Sequence, residues 1–453
     1  MLNNFVHKNG KKQISIWKRC VALMLLAFVV AVCTIFTVNA DDVNVEAIFG
    51  PGDRKHGYDS ESYVTDSLSV TSRKGKRADL MQFVDQPPLG LPVIDIPESN
   101  PITKEKVELG RLLFYDRRLS LNDTFSCAIC HIPEQGFTSN EIATAIGFEG
   151  RSVNRNSPTM YNVAYHTVLF HDGREDSLEQ QVWAPLLASN EMANPSIGFV
   201  INKIKGIKEY EGLFEVAFEG KGPTMETVGD ALASYQRTLN SANSRFDRWY
   251  YGKEEDALTY DEKQGFALFM GKAKCSSCHL VAQEYAIFTD NRMHNTGHGF
   301  ATSMGVGPDT TRVQLAPGVF VDVENELIDS VRQQPKPNDV GLYSVTQNPF
   351  DRWKYRTPTL RNITLTAPYM HDGAFTNLKQ VMEFYNKGGV PNELLSPLIQ
   401  PLDLTDEEIE QVISFMHTLT GDNVQTLVAD AFTVPIGDLR QEDPNWAHDT
   451  DLK

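Results

Sequence analysis

The sequence predicts a mainly α-helical fold built from two similar halves in tandem, with long loops. A self-comparison supplies the first observation, because RNSPTMYNVAYHTVLFHDG at residues 155–173 recurs as KYRTPTLRNITLTAPYMHDG at residues 354–373. Apolar residues at helical spacing supply the second, and the scarcity of alternating strand patterns supplies the third. Identical residues are offset by 200 positions: Pro158, Thr159, Asn162, His171, Asp172 and Gly173 match Pro358, Thr359, Asn362, His371, Asp372 and Gly373.

Several helices can be placed from their capping residues and apolar spacing. Thr259 with Glu262 forms a capping box, and Thr405 with Glu408 forms another. Each half has a Gly-x-x-Leu-Phe segment before its cysteine pair, at residues 110–114 and 265–269. Helical spacing also links Val228, Leu232, Tyr235 and Leu239, then Leu378, Val381, Met382 and Tyr385, and finally Ile409, Val412, Ile413, Met416 and Leu419.

The cysteines are the strongest chemical signal. Cys20 and Cys33 lie near the amino terminus, and the other four form C-A-I-C-H at 127–131 and C-S-S-C-H at 275–279. In a C-x-x-C-H motif the two thiols attach a haem covalently and the histidine binds its iron. One copy alone would also fit a thiol redox pair or half a zinc site, but two copies, with no spare cysteine outside the amino-terminal signal segment, favour two haem c groups. The predicted cofactor ligands are Cys127, Cys130 and His131 in one half and Cys275, Cys278 and His279 in the other. The fold class is therefore two cytochrome c-like haem domains in tandem.

The amino-terminal segment has the composition of an export signal. The first forty residues contain five basic residues and no acidic one, with an apolar run at 21–38. This pattern predicts a signal peptide over residues 1–40, cleaved after Ala40. An uncleaved membrane anchor formed by residues 21–38 is the alternative, because 18 apolar residues are marginal for spanning a bilayer. In both cases we expect the folded part in the periplasm.

Charge restricts the class of partner. Removing those five basic residues from the 42 in the chain leaves 37 against 59 acidic residues, a net charge of about −22. Such a surface disfavours nucleic acid and is compatible with a basic or dipolar redox partner.

The domain organisation follows from these segments. We predict a signal peptide at 1–40, a flexible polar extension at 41–78, an amino-terminal haem domain at 79–244, and a carboxy-terminal haem domain with its tail at 245–453.

The repeat also bears on the sixth ligand of each iron. Tyr385 lies on the inward face of its predicted helix, where it is either a core tyrosine or an iron ligand. The position 200 residues earlier is Pro185, which offers no ligand and disturbs a helix. Glu191, six residues beyond Pro185, is either a solvated loop residue or a general acid and base beside an open haem.

At this point the sequence resembles the bacterial dihaem cytochrome c peroxidases and their MauG relatives. The resemblance covers residues 92–421 and rests on both C-x-x-C-H motifs, the Phe-x-Asp-Gly-Arg stretch at 170–174 and the L-R-N to P-Y-x-H-x-G segment. It implies that His131 serves a peroxide haem and His279 an electron-transfer haem. It assigns Glu191 as the catalytic glutamate and Gln181 and Pro185 as distal-pocket residues.

Three departures from the family's pattern shape the expectation. The segment that supplies a blocking histidine in ordinary members reads Ile146-Gly147-Phe148 here, so we expect an open peroxide haem without reductive activation. The electron-transfer haem has methionine as its sixth ligand in ordinary members and tyrosine in MauG, and Tyr385 occupies that position. The interhaem tryptophan is replaced by His171.

The resemblance implies further roles. Asn156, Thr366 and Pro368 match an interdomain calcium site that is formed largely by backbone carbonyls. His371 resembles a structural histidine near the second haem, and we expect it to act as a positioning residue. The stretch 280–355 is longer than usual in the family; it contains Met293, His294, His298 and Met304, for which surface or cavity-lining roles are expected.

Three functions remain open. The leading hypothesis is reduction of hydrogen peroxide with electrons from a small cytochrome c or copper protein. The second is a MauG-like oxidase in which high-valent haem acts on a partner protein or an organic substrate. The third is a dihaem electron carrier without catalysis. A homodimer is a further expectation from the resemblance.

Overall fold

The computed structural model describes residues 53–54, 66–67, 75–307, 310–316, 319–331 and 338–435. The predicted signal peptide, the alternative anchor at 21–38, most of the extension at 41–78 and the end of the tail lie outside these residues. Across the described ranges, no helix has both the length and the apolar character needed to cross a membrane.

The described chain is mainly helical, which confirms that part of the predicted fold class. Its α-helices are α1 Gln82–Asp85, α2 Lys104–Tyr115, α3 Cys127–Cys130, α4 Leu178–Gln181, α5 Trp183–Leu187, α6 Ile197–Gly206, α7 Leu213–Ala217, α8 Met225–Gln236, α9 Arg245–Tyr250, α10 Tyr260–Met270, α11 His298–Met304, α12 Asn325–Val331, α13 Tyr343–Thr346, α14 Leu378–Asn386, α15 Asp406–His417 and α16 Val424–Ala431.

Strands are short and pair only in twos among the described residues. They are β1 Asp53–Arg54, β2 Asp66–Ser67, β3 Met293–His294, β4 Thr310–Ala316, β5 Val319–Glu324 and β6 Tyr355–Arg356. All three pairs, β1 with β2, β3 with β6 and β4 with β5, are antiparallel. The β3–β6 pair joins the two ends of the long 280–355 stretch, and the β4–β5 hairpin lies within it.

The predicted capping boxes are confirmed. The hydroxyl of Thr259 accepts the backbone N–H of Glu262 at the start of α10, and the Glu262 carboxylate accepts the N–H of Thr259. Thr405 and Glu408 make the same reciprocal pair at the start of α15. These bonds satisfy N–H groups that a helix leaves without internal partners, which is why both helices begin at the predicted residues.

The 200-residue repeat corresponds to repeated local structure. Asn162 and Asn362 both adopt left-handed backbone conformations, with φ of 62° and 60°. Their backbone N–H groups donate to the carbonyls of Leu239 and Leu419, at 2.9 and 3.1 Å. A 3-10 turn follows each asparagine, at Val163–Tyr165 and Ile363–Leu365.

Glycine permits the same close helix crossing in both halves. A Cβ at Gly110 of α2 would lie 1.8 Å from the carbonyl oxygen of Ala231 in α8. A Cβ at Gly265 of α10 would lie 1.9 Å from the carbonyl oxygen of Gln411 in α15. Neither helix pair could approach as closely with any side chain there.

Two main hydrophobic cores divide the chain. The first is formed chiefly by residues between 80 and 239, and the second by residues between 246 and 419. This division falls close to the predicted boundary at 244/245. The tail helix α16, however, packs into the first core through Val424, Leu427, Val428 and Ala431.

A buried ion pair fixes α16 to the first half. Arg111 Nε donates to Asp430 Oδ2 at 2.8 Å, and both side chains are 2% exposed. The backbone N–H of Ala78 donates to Asp430 Oδ1 at 3.0 Å, and that of Lys76 donates to the carbonyl of Ala429. The last residues of the predicted flexible extension are therefore held in place.

Candidate active site and haem-binding cavity

Both C-x-x-C-H histidines are oriented by a backbone carbonyl. His131 Nδ1 lies 3.2 Å from the carbonyl oxygen of Phe137, and His279 Nδ1 lies 2.8 Å from that of Phe288. A histidine that donates Nδ1–H to a carbonyl presents an unprotonated Nε2, which is the tautomer that binds a metal. Burial lowers the pKa of both histidines and so favours this neutral form. The geometry fits two iron ligands.

The four thiols are available for haem attachment. Cys127 and Cys130 form α3, whereas Cys275 opens a 3-10 turn that leads to Cys278. None is in a disulfide. Burial raises the pKa of Cys127, Cys130 and Cys275 to about 12 and that of Cys278 to about 11, so these are neutral thiols.

One large cavity gathers the predicted residues of the first site. It has a volume of about 2860 Å³, and Cys130, His131, Gln181, Pro185 and Glu191 line it. A typical small-molecule site occupies roughly 300–1,000 Å³, so this space can hold a much larger group.

Glu191 is a partly buried carboxylate on this wall. Burial raises its pKa, and the Arg174 guanidinium opposes that increase. The charge of Glu191 in turn raises the pKa of Cys127 and Cys130, which places the carboxylate close to the haem-attachment motif. An acid whose pKa moves towards neutrality is suited both to accept and to return a proton.

A helix break separates Gln181 from Pro185. Helix α4 ends at Gln181 and α5 begins at Trp183, so Pro185 lies in the first turn of a new helix. Proline is tolerated there because the first-turn N–H groups lack helical partners in any case. The equivalent helix α14 of the second half continues unbroken through Tyr385.

Phe148 occupies the loop beside Glu191. Its backbone N–H donates to the carbonyl of Glu191 at 3.0 Å. Gly147 makes this contact possible, because a Cβ there would lie 2.1 Å from the carbonyl oxygen of Asn190. The loop that carries a blocking histidine in ordinary family members is thus packed against the glutamate loop, and its phenylalanine side chain cannot bind iron.

Tyr385 lies beside the second attachment motif. Burial raises the pKa of its phenol, and the nearby Cys278 and Cys275 raise it further. Among the described residues its hydroxyl makes no hydrogen bond. Position and chemistry both suit an axial ligand, since phenolate binds haem iron in other proteins.

His171 and Asn156 form a direct contact. His171 Nε2 donates to the Asn156 carbonyl at 2.9 Å, and the backbone N–H of Asn156 donates to the carbonyl of His371 at 2.8 Å. Burial, with a contribution from Arg356, lowers the pKa of His171 to about 3, so its ring is neutral. This position therefore carries a hydrogen-bonded imidazole where the family has tryptophan.

The residues matched to a calcium site are only partly brought together. Asn156 and Pro368 line the large cavity, whereas Thr366 does not. The hydroxyl of Thr366 donates to the carbonyl of Ile363 at 3.1 Å. The Asn156 carbonyl is already an acceptor for His171, which a calcium ion would have to share or replace.

Arg356 is a buried cation that was not predicted. It is 7% exposed and lines the cavity, and no carboxylate pairs with it among the described residues. Its Nε donates to the Phe170 carbonyl, and another nitrogen contacts the His166 ring. A buried unpaired guanidinium is costly, and a haem carboxylate would balance its charge. The cavity therefore suits a haem both in its size and in the positive charge of its wall.

The long 280–355 stretch forms another part of the wall. His298 lines the cavity, and its Nε2 lies 2.8 Å from Asp372 Oδ1. Asp339 pairs with Arg155 of the first half at 2.7 Å. His294 instead pairs with Asp290 at 2.8 Å. The Met293 side chain lies near Gly173, and Met304 is exposed.

Two cavity residues to which the sequence analysis gave no role can be recognised from the repeat. Arg174 ends the Phe-x-Asp-Gly-Arg stretch, and the position 200 residues later is Ala374. The sequence thus shows a cation that only the first half carries. Arg356 similarly corresponds to Asn156, 200 positions earlier in the repeat. The repeat does not indicate which group either cation contacts.

Comparison with known proteins agrees with these features. A family model described as di-haem cytochrome c peroxidase matches residues 104–255. Methylamine utilization protein MauG of Methylorubrum extorquens is 36% identical over 327 residues, which cover 72% of this chain and 81% of that protein. Cytochrome-c peroxidase IdrP1 of Pseudomonas sp. (strain SCT) is 34% identical over 365 residues, 77% of this chain and 89% of that protein.

Solved structures give the same picture at the level of the fold. A MauG-like protein associated with microbial copper homeostasis superposes with a TM-score of 0.62 at 30% identity, covering 76% of this chain and 98% of that one. The diheme peroxidase BthA from Burkholderia thailandensis gives 0.57 at 21% identity, covering 82% and 95%, and supports the fold alone.

Proposed function

This chain belongs to the di-haem cytochrome c peroxidase family, which includes MauG, and we propose that it reduces hydrogen peroxide to water with electrons from a small redox protein. The family is one of oxidoreductase enzymes with two haem c groups. We assign these groups to two tandem domains, 79–244 and 245–453, of which the first holds the peroxide site.

The observation that carries this proposal is the position of Glu191. It shares a cavity with His131, Gln181 and Pro185, and burial raises its pKa. A plain electron carrier has no use for a partly buried carboxylate at an iron site.

The residues divide the chemistry of peroxide reduction among them. Bound through His131, the haem supplies the redox chemistry that breaks the O–O bond. Glu191 takes a proton from one peroxide oxygen and returns it to the other, which leaves as water. Gln181 donates a hydrogen bond that orients the peroxide. Two electrons from the donor and two protons from solvent complete the conversion of one peroxide into two water molecules.

Steady-state turnover tests the proposal. Reduced cytochrome c or a small copper protein serves as donor, and its oxidation is followed after peroxide is added. We expect peroxide-dependent oxidation by the wild type and a roughly 10²–10⁴-fold lower rate in Glu191→Gln, with both haem spectra intact. Glu149→Gln is the matched control, because Glu149 is exposed and pairs only with exposed Arg151. Equal rates in wild type and Glu191→Gln would contradict the role of Glu191.

A MauG-like oxidase is the second candidate, favoured by Tyr385 beside the second motif and by the 36% identity to MauG. It would oxidise a partner protein or an organic compound. Peroxide consumption without oxidation of either redox protein, together with a covalent change in a partner, would favour it over the first.

We also propose the remaining expectations from the resemblance. Asn156, Thr366 and Pro368 would hold a calcium ion through backbone oxygens. Treatment with a calcium chelator should then lower turnover, and added calcium should restore it. The folded chain would work in the periplasm, with a homodimer as its expected state.

A further inference from the structure

A cluster of nitrogen and oxygen donors lies in the cavity wall apart from both attachment motifs. The donor atoms of His298, His371 and Asp372 all lie within 4.8 Å of one another. His298 begins α11 in the long 280–355 stretch, whereas His371 and Asp372 belong to the repeated His-Asp-Gly segment. We propose that these three residues form a binding site for a divalent transition-metal ion, which joins the long stretch to the repeated His-Asp-Gly segment.

The first support is an unsatisfied histidine. His371 is 7% exposed, and neither of its ring nitrogens forms a hydrogen bond within the described part of the chain. Its ring stacks on Tyr355, with centroids 3.7 Å apart and planes 14° apart, and this contact fixes its orientation. A metal ion in the cavity that His371 lines would give one of these ring nitrogens a partner.

The second support is the presence of carboxylates. Asp372 and Asp339 act on His371 as negative charges, whereas Arg155 and the second proposed ligand, His298, act with the opposite sign. Asp339 Oδ2 lies 4.0 Å from His371 Nε2, just beyond the three proposed ligands. The two carboxylates can balance the charge of a bound divalent cation.

The third support is the chemistry of the donors. Two imidazoles and one carboxylate suit ions such as zinc or copper(II), whereas calcium prefers oxygen donors alone. Ligands of a tetrahedral zinc ion lie ~3.3 Å apart, so small side-chain rotations would close the site. The bond from His298 Nε2 to Asp372 Oδ1, now 2.8 Å, would be replaced by two metal bonds.

Zinc titration of the holoprotein tests the proposal. Protein with both haems is stripped with a chelator and titrated with Zn²⁺ by calorimetry, and retained zinc is measured by mass spectrometry. We expect one zinc per chain, unaffected by excess Ca²⁺. His298→Asn and Asp372→Asn should each weaken binding at least about tenfold.

His417→Asn is the control, because His417 lies on an exposed position at the end of α15. It should bind zinc like the wild type. Haem absorbance and thermal unfolding identify any variant that fails to fold. If Asp372→Asn fails to fold, His298→Asn alone decides the test.

Copper(II) provides a second readout. Its EPR signal in the stripped holoprotein should show hyperfine splitting from two imidazole nitrogens, and from one in His298→Asn. No retained zinc, as when a haem carboxylate occupies this space, or equal zinc in wild type and variants would overturn the proposal. Because zinc content is independent of peroxide turnover, this result and that of the Glu191 test can fail separately.

Discussion

The two halves share a scaffold but differ at the residues that we assign to each iron site. Both orient a histidine through a backbone carbonyl, and both cross two helices at a glycine. The differences lie at four positions of the repeat. Gln181, Pro185, Glu191 and Arg174 of the first half stand 200 positions before Val381, Tyr385, Pro391 and Ala374.

This difference teaches how a duplicated module acquires two roles. The scaffold fixes where a haem can attach, and it needs the same residues in both copies. A few side chains decide whether the iron is left accessible or closed. In the first half a broken helix and a carboxylate face the cavity, and in the second a continuous helix carries Tyr385 beside the second attachment motif.

The largest expected loss of stability concerns the tail helix α16, which packs into the first core. Asp430→Asn would remove the ionic partner of buried Arg111 at 2.8 Å and leave only Glu108, at 3.8 Å, among the described residues. We expect a loss of about 3–5 kcal/mol in unfolding free energy. Thermal unfolding followed at the haem absorbance measures this. Asp403→Asn is the control, because Asp403 is exposed and its left-handed backbone suits asparagine. An Asp430→Asn protein as stable as the control would show that the pair contributes nothing.

The helix crossings test where the halves are alike. Gly110→Ala and Gly265→Ala each place a Cβ within 2 Å of a backbone oxygen, at 1.8 and 1.9 Å. We expect each to lower the unfolding free energy by about 1–3 kcal/mol, with similar values for both. Gly198→Ala in α6, which meets only the Ser196 hydroxyl at 3.9 Å, should be neutral or stabilising. A large loss of stability in only one of these two variants would show that the two halves do not depend equally on their glycine crossings.

The smallest effect concerns Arg174, a cation with no counterpart in the second half. Its guanidinium lowers the pKa of Glu191, so Arg174→Gln should raise that pKa. The carboxylate then forms only at higher pH, and the acidic limb of kcat/KM for peroxide moves upwards. Arg151→Gln, at an exposed arginine, should leave the limb in place. A downward shift in Arg174→Gln would contradict the assignment of Glu191 as the titrating group.

Local chemistry made much of the fold predictable. Thr259 and Thr405 begin helices because their partners lie three residues away, and Tyr385 follows from a spacing within one helix. Each C-x-x-C-H motif has its two cysteines and its histidine within five residues. These features can be recognised without knowing which distant residues meet in the fold.

Features that depend on distant pairs were not predictable. Asp430 meets Arg111 across 319 residues, so the sequence placed α16 with the second half although it packs on the first. His298 reaches Asp372 from within a long stretch that has no repeat partner. The influence of Arg174 on the pKa of Glu191 and the burial of Arg356 likewise depend on how the loops fold over the cavity.

The asymmetry of the two irons is tested most directly by EPR of the ferric holoprotein, with Tyr385→Phe beside the wild type. We expect one high-spin signal from the haem of His131, which no side chain closes, and one low-spin signal from the haem of His279. Tyr385→Phe should change the low-spin signal alone. Two low-spin signals in the wild type, or identical spectra for the two proteins, would contradict the assignment of Pro185 to an open iron and Tyr385 to a closed one.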